Sequence, residues 1–184
     1  MKFLISFLLL QSITFAACLE TTTKDIQVKW TAFKTPEKVG VGGTFKKVKF
    51  ASKLKGDSIT SVIKKAKFSI DSSSVFTKNS ARDMKISKFF FKPMMDGAKI
   101  EGEVVSMNAK KVVVLFKMNK KSVKVPLNYT VSNNELKASG TLDVLDFSLN
   151  SQLAALNKAC FAKHKGKTWS DVDVVLMAKF KKCK

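Results

Sequence analysis

The stretch from Lys111 to Asp146 restricts the possible folds most, because apolar and polar residues alternate along three consecutive runs. Short polar turns at 119–121 and 133–134 separate these runs. A period of two, broken at turns that tolerate positive φ, is typical of an antiparallel meander with one apolar face and one lysine-rich face. The positions on the apolar face are Val112, Val114, Phe116, Met118, Val123, Val125, Leu127, Tyr129, Val131, Leu136, Ala138, Gly140, Leu142 and Val144.

Five more alternating segments extend this meander. They cover 26–32, 44–50, a run ending at 66–70, 100–107 and 172–180. Gly40, Gly42 and Gly43 are interpreted as a flexible turn before the second strand, since no Lys-Ser pair or helix follows to make a phosphate cradle. Together the segments predict an all-β fold with eight antiparallel strands. A barrel of that size either fills with side chains or holds one small ligand.

Two segments break the alternation and predict helices. The first is a short helix near 79–91, capped by Asn79 or Ser80 and stopped by Pro93. The second lies near 150–163, where Leu149, Leu153, Leu156 and Cys160 share one stripe and a basic end with His164 precedes Gly166. We expect the second helix to lie over one end of the barrel, and we interpret His164 as a solvated residue at its end.

The N-terminus has the pattern of a secretory signal. Lys2 precedes an apolar run that is too short to span a bilayer comfortably, and Ala16 ends a small-x-small cleavage pattern. The sequence therefore predicts a signal peptide at 1–16, a mature domain at 17–184 and a periplasmic or secreted location. Lipoprotein anchoring at Cys18 is the weaker alternative, because Phe15 replaces the leucine usual in that motif.

Export permits disulfides, and three cysteines allow at most one bond within the chain. A closed meander with an even number of strands brings the end of the last strand beside the start of the first. That geometry favours a disulfide between Cys18 and Cys183 and leaves Cys160 unpaired. Three cysteines this far apart, with a single histidine, predict no metal site.

The net charge of +20 and the pI of about 10.0 are unusual for a globular chain. All but one of the 34 basic residues are lysines, and the exception is Arg82. Nucleic-acid readers depend on arginine, so we interpret the lysines as a solvated coat and predict no nucleic-acid partner. An anionic membrane surface and a homodimer stay open as partners.

Several short motifs, taken in order, resemble the YceI-like family of bacterial polyisoprenoid-binding proteins. They are Trp30-Thr-Ala-Phe-Lys-Thr, Gly43-Thr-Phe45, Ser69-Ile-Asp71-Ser-Ser, Arg82-Asp83 and Phe89-Phe90. The resemblance covers about residues 26 to 182. Lys85 and Ile86 stand where the family usually has His-Leu. The resemblance implies a lipocalin-like barrel that is exported, is not an enzyme and holds an isoprenoid or other long-chain lipid non-covalently.

Fifteen phenylalanines and seven methionines can line such an interior with apolar side chains. The predicted cavity-lining residues are Trp30, Phe68, Phe89, Phe90, Met94, Met95, Phe116, Met118, Tyr129 and Phe180. Arg82 and Asp83 are interpreted either as a clamp on a polar head group or as a structural tie from the short helix to backbone carbonyls or to a carboxylate such as Asp71. No catalytic residue is predicted, since no acid, base or nucleophile set is present, and no cofactor beyond the lipid is expected.

The resulting hypothesis is an exported protein that carries or stores a long-chain amphiphilic lipid, such as a polyisoprenoid, a quinone tail or a fatty amide. It expects one apolar void sized for a long tail. The alternative is a cationic envelope or host-surface protein, similar to an adhesin, in which the barrel is only a scaffold.

Overall fold

The computed structural model describes residues 18–50, 54–64 and 66–183. The predicted signal peptide at 1–16 lies outside the described residues. Thirteen strands occur in the described part of the chain, and they are numbered here in chain order. They are β1 (Leu19–Thr21), β2 (Ile26–Lys34), β3 (Val39–Phe45), β4 (Val48–Phe50), β5 (Leu54–Gly56), β6 (Lys67–Asp71), β7 (Val75–Phe76), β8 (Lys99–Met107), β9 (Lys111–Met118), β10 (Lys121–Ser132), β11 (Glu135–Asp143), β12 (Thr168–Lys179) and β13 (Lys181–Lys182).

Ten of these strands form one strongly curled antiparallel sheet in the order β4-β6-β8-β9-β10-β11-β12-β2-β3-β7. The predicted antiparallel all-β architecture is therefore confirmed, but the count of eight strands is not exact. Two long strands are each interrupted, between β3 and β4 and between β6 and β7. Backbone hydrogen bonds from Lys46 N to Ser74 O and from Asp71 N to Lys47 O bridge the interruptions. A separate sheet has the order β13-β1-β5.

The turns at both ends of β10 have the backbone that hairpins of two residues require. Asn119 and Lys120 have φ of 52° and 60°, and Asn133 and Asn134 have φ of 51° and 57°. Asparagine tolerates this left-handed region, and the resulting turn matches the twist of the flanking strands. The predicted positions of these two turns agree with the structure.

The glycine-rich segment differs from its prediction. Gly40, Gly42 and Gly43 lie within β3 rather than in a turn. The turn lies earlier, between β2 and β3, with positive φ at Thr35 and Lys38. Gly43 pairs with Trp30 across the strands, and a Cβ at Gly43 would lie 2.3 Å from an indole carbon. The glycine is therefore needed for the tryptophan ring to pack flat against the neighbouring strand.

Four α-helices occur among the described residues: α1 (Ile59–Ile63), α2 (Ser80–Ile86), α3 (Asn150–Ala159) and α4 (Phe161–His164). The side chain of Asn79 caps α2, and a π-helical turn at Ser87–Phe91 continues it, so the helix predicted near 79–91 is present. The helix predicted near 150–163 is interrupted at Cys160. No helix in the described ranges is long and apolar enough to cross a bilayer.

The two ends of the curled sheet are closed differently. At the disulfide end, Cys18 is bonded to Cys183 beside the small sheet, and their Cα atoms are 5.3 Å apart. Leu54 of β5 and Ile63 of α1 are buried there. At the other end, which we call the covered end, α3 packs against the π-helical turn and α2. Leu149 is fully buried under this cover.

Buried Asn119 ties the covered end together. Its Nδ2 donates to Phe147 O at 2.9 Å, and its Oδ1 accepts from Met95 N at 2.8 Å. Its own N–H and that of Lys120 donate to the Asp96 carboxylate. One hairpin turn therefore supplies partners to two other chain segments, which fixes how the cover sits on the sheet.

Candidate functional site

An apolar cavity of about 130 Å³ lies inside the curled sheet at the covered end. The strands supply its wall, and α2, the π-helical turn and α3 supply its cover. Its lining residues are Val28, Trp30, Ala32, Phe45, Ile70, Ile86, Phe90, Phe91, Ile100, Phe116, Met118, Leu142, Val144, Leu153, Leu156, Thr168, Trp169, Val172 and Val174. Almost all of these side chains are apolar, so the space favours a hydrocarbon over a hydrated ligand.

The interior is not the single long void that the sequence led us to expect. A separate cavity at the disulfide end measures only about 30 Å³. Phe68 lines that smaller cavity and meets Phe116 of the larger one edge to face, with ring centroids 5.9 Å apart. Phe68 can lie there because Gly102 faces it, and a Cβ at Gly102 would lie 2.0 Å from the ring. Two aromatic rings thus stand between the two cavities.

A third cavity of about 200 Å³ adjoins the apolar one, and we call it the vestibule. It shares five wall residues with the apolar cavity. These are Trp30, Ala32, Ile86, Leu156 and Thr168. The other vestibule residues are Phe33, Lys34, Val41, Asn79, Ala81, Arg82, Lys85, Cys160, Lys163 and His164. The apolar cavity and the polar vestibule therefore lie on two sides of the same side chains.

The vestibule carries positive charge without carboxylates in its wall. Lys34 ends β2, Arg82 and Lys85 lie on α2, and Lys163 lies on α4. None of the four forms a salt bridge with a carboxylate in the described ranges. Lys85 Nζ instead donates to the carbonyl of Ala159 at 3.0 Å. An anion in the vestibule would therefore have four cations to oppose its charge and no carboxylate in the wall to repel it.

His164 is half-buried in the vestibule rather than solvated. Its Nδ1 lies 2.7 Å from Thr168 Oγ1, which donates its own proton to Asn157 Oδ1 at 2.9 Å. The amide of Asn157 is oriented because its Nδ2 donates to Gly166 O. His164 Nδ1 must therefore carry the proton, and Nε2 is the atom that gains one when the ring becomes charged.

Burial lowers the pKa of His164 below its ordinary value of 6.5, and the charges of Lys34 and Lys85 lower it further. The imidazole is therefore neutral at neutral pH. An anion in the vestibule would oppose both lysines and raise this pKa.

Trp30 is 9% exposed and lines both the apolar cavity and the vestibule. Its Nε1 is buried without an acceptor in the described part of the chain. An unsatisfied buried donor costs about 1–3 kcal/mol.

The predicted lining residues separate into groups. Trp30, Phe90, Phe116 and Met118 line the apolar cavity, and Phe68 lines the smaller one. Met94 and Phe180 are buried core residues away from both walls.

Three other predicted lining residues lie elsewhere. Phe89 is half-buried, with Lys88 Nζ over its ring. Tyr129 donates its hydroxyl to Asn108 O near the surface. Met95 is 57% exposed and does not line the interior. Phe90 and Phe91 both line the apolar cavity, whereas the two methionines separate, with Met94 buried and Met95 exposed.

Arg82 and Asp83 have different roles. Asp83 accepts hydrogen bonds from the N–H and the hydroxyl of Thr77, at 2.8 and 2.6 Å, and so holds the chain before α2. Asp71 is bonded to Ser73 and paired with Lys47, so the tie from Arg82 to Asp71 is not formed. Arg82 faces the vestibule instead.

Sequence reasoning missed several wall residues, among them Ile86, Trp169 and Val172. Leu153 and Leu156 were recognised as one helical stripe, but the stripe alone did not identify a cavity. Trp169 lies near the start of β12, before the alternating segment that begins at residue 172, and its Nε1 donates to Thr35 O at 2.8 Å. That bond could not be inferred from residues so far apart in sequence.

The fold and site together define a class: a curled antiparallel sheet around an apolar chamber, covered at one end by helices. A family model for the YceI-like domain matches residues 18–180, and the chain belongs to the YceI-like family. No curated protein matches its sequence.

Solved structures share this fold at low sequence identity. A polyisoprenoid-binding domain from Saccharophagus degradans, implicated in plant cell wall breakdown, is 14% identical, with a TM-score of 0.60 over 93% of this chain and 100% of that one. BcnA of Burkholderia cenocepacia is 11% identical, with a TM-score of 0.60 over 88% and 99%. A Campylobacter jejuni YceI protein is 14% identical, with a TM-score of 0.50 over 79% and 86%. At these identities the likeness concerns the fold.

Proposed function

We propose that this protein is an exported, non-enzymatic binding protein that holds the tail of a long-chain amphiphilic lipid and carries or stores it. The observation that carries the proposal is the apolar cavity beside a polar vestibule. Membership of the YceI-like family supports it, as does the polyisoprenoid binding named for one of the solved structures. The signal-like N-terminus supports export.

The size of the cavity limits what the present conformation can hold. An engineered cavity of about 150 Å³ binds benzene, so a space of about 130 Å³ takes roughly five or six carbons of a tail. At about 0.8 kcal/mol per buried CH₂, five methylenes contribute about 4 kcal/mol before association costs. A polyisoprenoid or quinone tail therefore needs more room. We expect half-buried Leu153 and Leu156 to move outward with α3 when a long tail enters.

The test is mass spectrometry of the exported protein under native conditions, followed by identification of lipids extracted from it. We expect a co-purifying amphiphile. In a second arm, Val174→Phe fills the apolar cavity from β12 and should reduce bound lipid several-fold. Val175→Phe adds the same ring to the next residue of β12, which lies outside the cavity wall, and should leave binding unchanged. A protein that is empty from its native source and that binds no long-chain probe would contradict the proposal.

The alternative of a cationic surface-binding protein rests on the net charge of +20. It predicts binding of the lipid-free protein to anionic vesicles that is lost at moderate salt, because exposed charges are screened over about 8–10 Å. Tail binding in the cavity should persist in the same salt. Vesicle binding that Val174→Phe leaves intact, with no extractable lipid, would favour this alternative.

A further inference from the structure

Resting on the proposed function, we propose that the vestibule is a head-group site for an acidic amphiphile. In this site Arg82, Lys34, Lys85 and Lys163 bind a carboxylate or phosphate group while the tail enters the apolar cavity. The ligand class is thereby narrowed from lipids in general to anionic ones.

Charge is the first argument. Seven lysines elsewhere in the described ranges are paired with carboxylates, yet the vestibule cations are not. Only 14 acidic residues are present in the chain. Asp83 is adjacent to Arg82 in sequence, but its carboxylate accepts hydrogen bonds from Thr77. The four cations come from three separate elements and line one cavity of about 200 Å³, with Lys34 and Lys85 partly buried and Arg82 and Lys163 exposed. A phosphate or carboxylate supplies the counter-charge that the protein does not.

Hydrogen-bonding capacity is the second argument. The planar guanidinium of Arg82 can donate two parallel bonds to an oxyanion, which an ammonium group cannot do. Trp30 lines the same wall, and its buried Nε1, which has no acceptor among the described residues, can donate another. These donors would meet an acid at the boundary between the two cavities.

Position is the third argument. The five shared wall residues separate the vestibule from the apolar cavity by a single layer of side chains. One amphiphile can therefore place its charged end among the cations and its first methylenes beside Trp30 and Leu156. A neutral or cationic head group in the vestibule would leave the four charges unopposed.

The binding experiment compares dodecyl phosphate, dodecanol and inorganic phosphate by calorimetry on the lipid-free protein, below micellar concentrations. Dodecyl phosphate should bind at least tenfold more tightly than dodecanol, as expected for hydrogen bonds to a charged group. The double variant Arg82→Gln/Lys85→Gln should remove most of that preference, taken as the ratio of the two affinities in the same variant. Lys88→Gln/Lys92→Gln removes the same charge from the adjoining segment, outside the vestibule wall, and should retain it.

His164 provides an independent readout, because it is the only histidine and gives one imidazole signal by NMR. The charged groups in its cavity are Lys34, Lys85, Arg82 and Lys163, and Cys160 is the other titratable one. A phosphate monoester is anionic throughout the titration range of histidine. Dodecyl phosphate should therefore raise the pKa of His164, whereas dodecanol should not.

The outcomes separate the two proposals. Equal affinity for dodecyl phosphate and dodecanol, or an equal loss in both double variants, would overturn the head-group site and leave lipid binding intact. If neither dodecyl phosphate nor dodecanol binds, the proposed lipid-binding function is overturned. If inorganic phosphate still raises the pKa of His164 in that case, the vestibule is an anion site without a lipid tail. If Arg82→Gln/Lys85→Gln weakens binding to anionic vesicles but not to dodecyl phosphate, the head-group site is overturned in favour of attraction to a charged surface.

Discussion

The two ends of the curled sheet are built from the same alternating strands, yet one is filled and the other is hollow. The disulfide end has a residual cavity of about 30 Å³, whereas the covered end has about 130 Å³. At the disulfide end, a small sheet and α1 place Leu54 and Ile63 directly against the strands. At the covered end, α3 reaches inward with half-buried Leu153 and Leu156. The difference shows that the closing elements, rather than the strand pattern, decide where a ligand fits.

The largest expected effect comes from a matched pair of truncations on β11. Leu136 lines the filled end and Leu142 lines the hollow end, six residues apart on the same strand. Leu136→Ala should cost roughly 2–5 kcal/mol of unfolding free energy, because the close-packed surroundings cannot fill the space. Leu142→Ala should cost about half as much or less, since its side chain already borders empty space. Urea unfolding of both variants measures the difference, and equal losses would show that the two ends are packed alike.

The disulfide should stabilise the filled end without affecting the site. Cys18 and Cys183 are 165 residues apart in sequence, so the bond restricts most of the unfolded chain. Replacing both with alanine should cost about 2–4 kcal/mol. Binding of a dodecyl probe should be unchanged in that variant, because the apolar cavity lies at the opposite end. Cys160→Ser serves as the control for loss of a thiol. A large loss of affinity in the double alanine variant would contradict the independence of the two ends.

Asn119→Ala should loosen the cover selectively. The change leaves the carbonyls of Phe147 and Ser148 and the N–H of Met95 without their partner. We expect a cost of about 2–3 kcal/mol, typical of buried groups that lose their hydrogen bonds. Hydrogen exchange should accelerate in the amides of 144–159 more than in β9 or β12. Uniform acceleration across the sheet would show that Asn119 supports the whole fold rather than its cover.

The smallest effect concerns pH. The pKa of His164 is lowered in the folded protein, so the unfolded chain binds a proton more readily. Stability should therefore decline as pH falls through 6.5 and should level off below the folded pKa. His164→Gln should remove this decline, and dodecyl phosphate should reduce it in the unchanged protein. Thermal unfolding between neutral and mildly acidic pH measures both, and an identical pH profile in the variant would contradict the shift.

Local patterns accounted for much of the fold. Alternation identified most strands of the large sheet, and asparagine-rich turns marked both ends of β10. The strand count was not exact where two strands are interrupted, at 46–47 and 72–74. The Lys46-Lys47 pair does break the period between Phe45 and Val48, but 44–50 was predicted as one strand. The Gly40 to Gly43 segment was also misjudged. Glycine there serves the ring of Trp30 on the neighbouring strand, which is invisible in the local sequence.

What the sequence alone determined is which faces of the strands avoid water and where the chain reverses, since both depend on residues close together in the chain. Tertiary structure alone decided that Phe68 and Phe116 divide the interior and that cations from β2, α2 and α4 share one vestibule. Both features depend on how side chains from distant parts of the chain pack together. Residues 34, 82 and 163 are far apart in sequence, so no local pattern indicates that they meet.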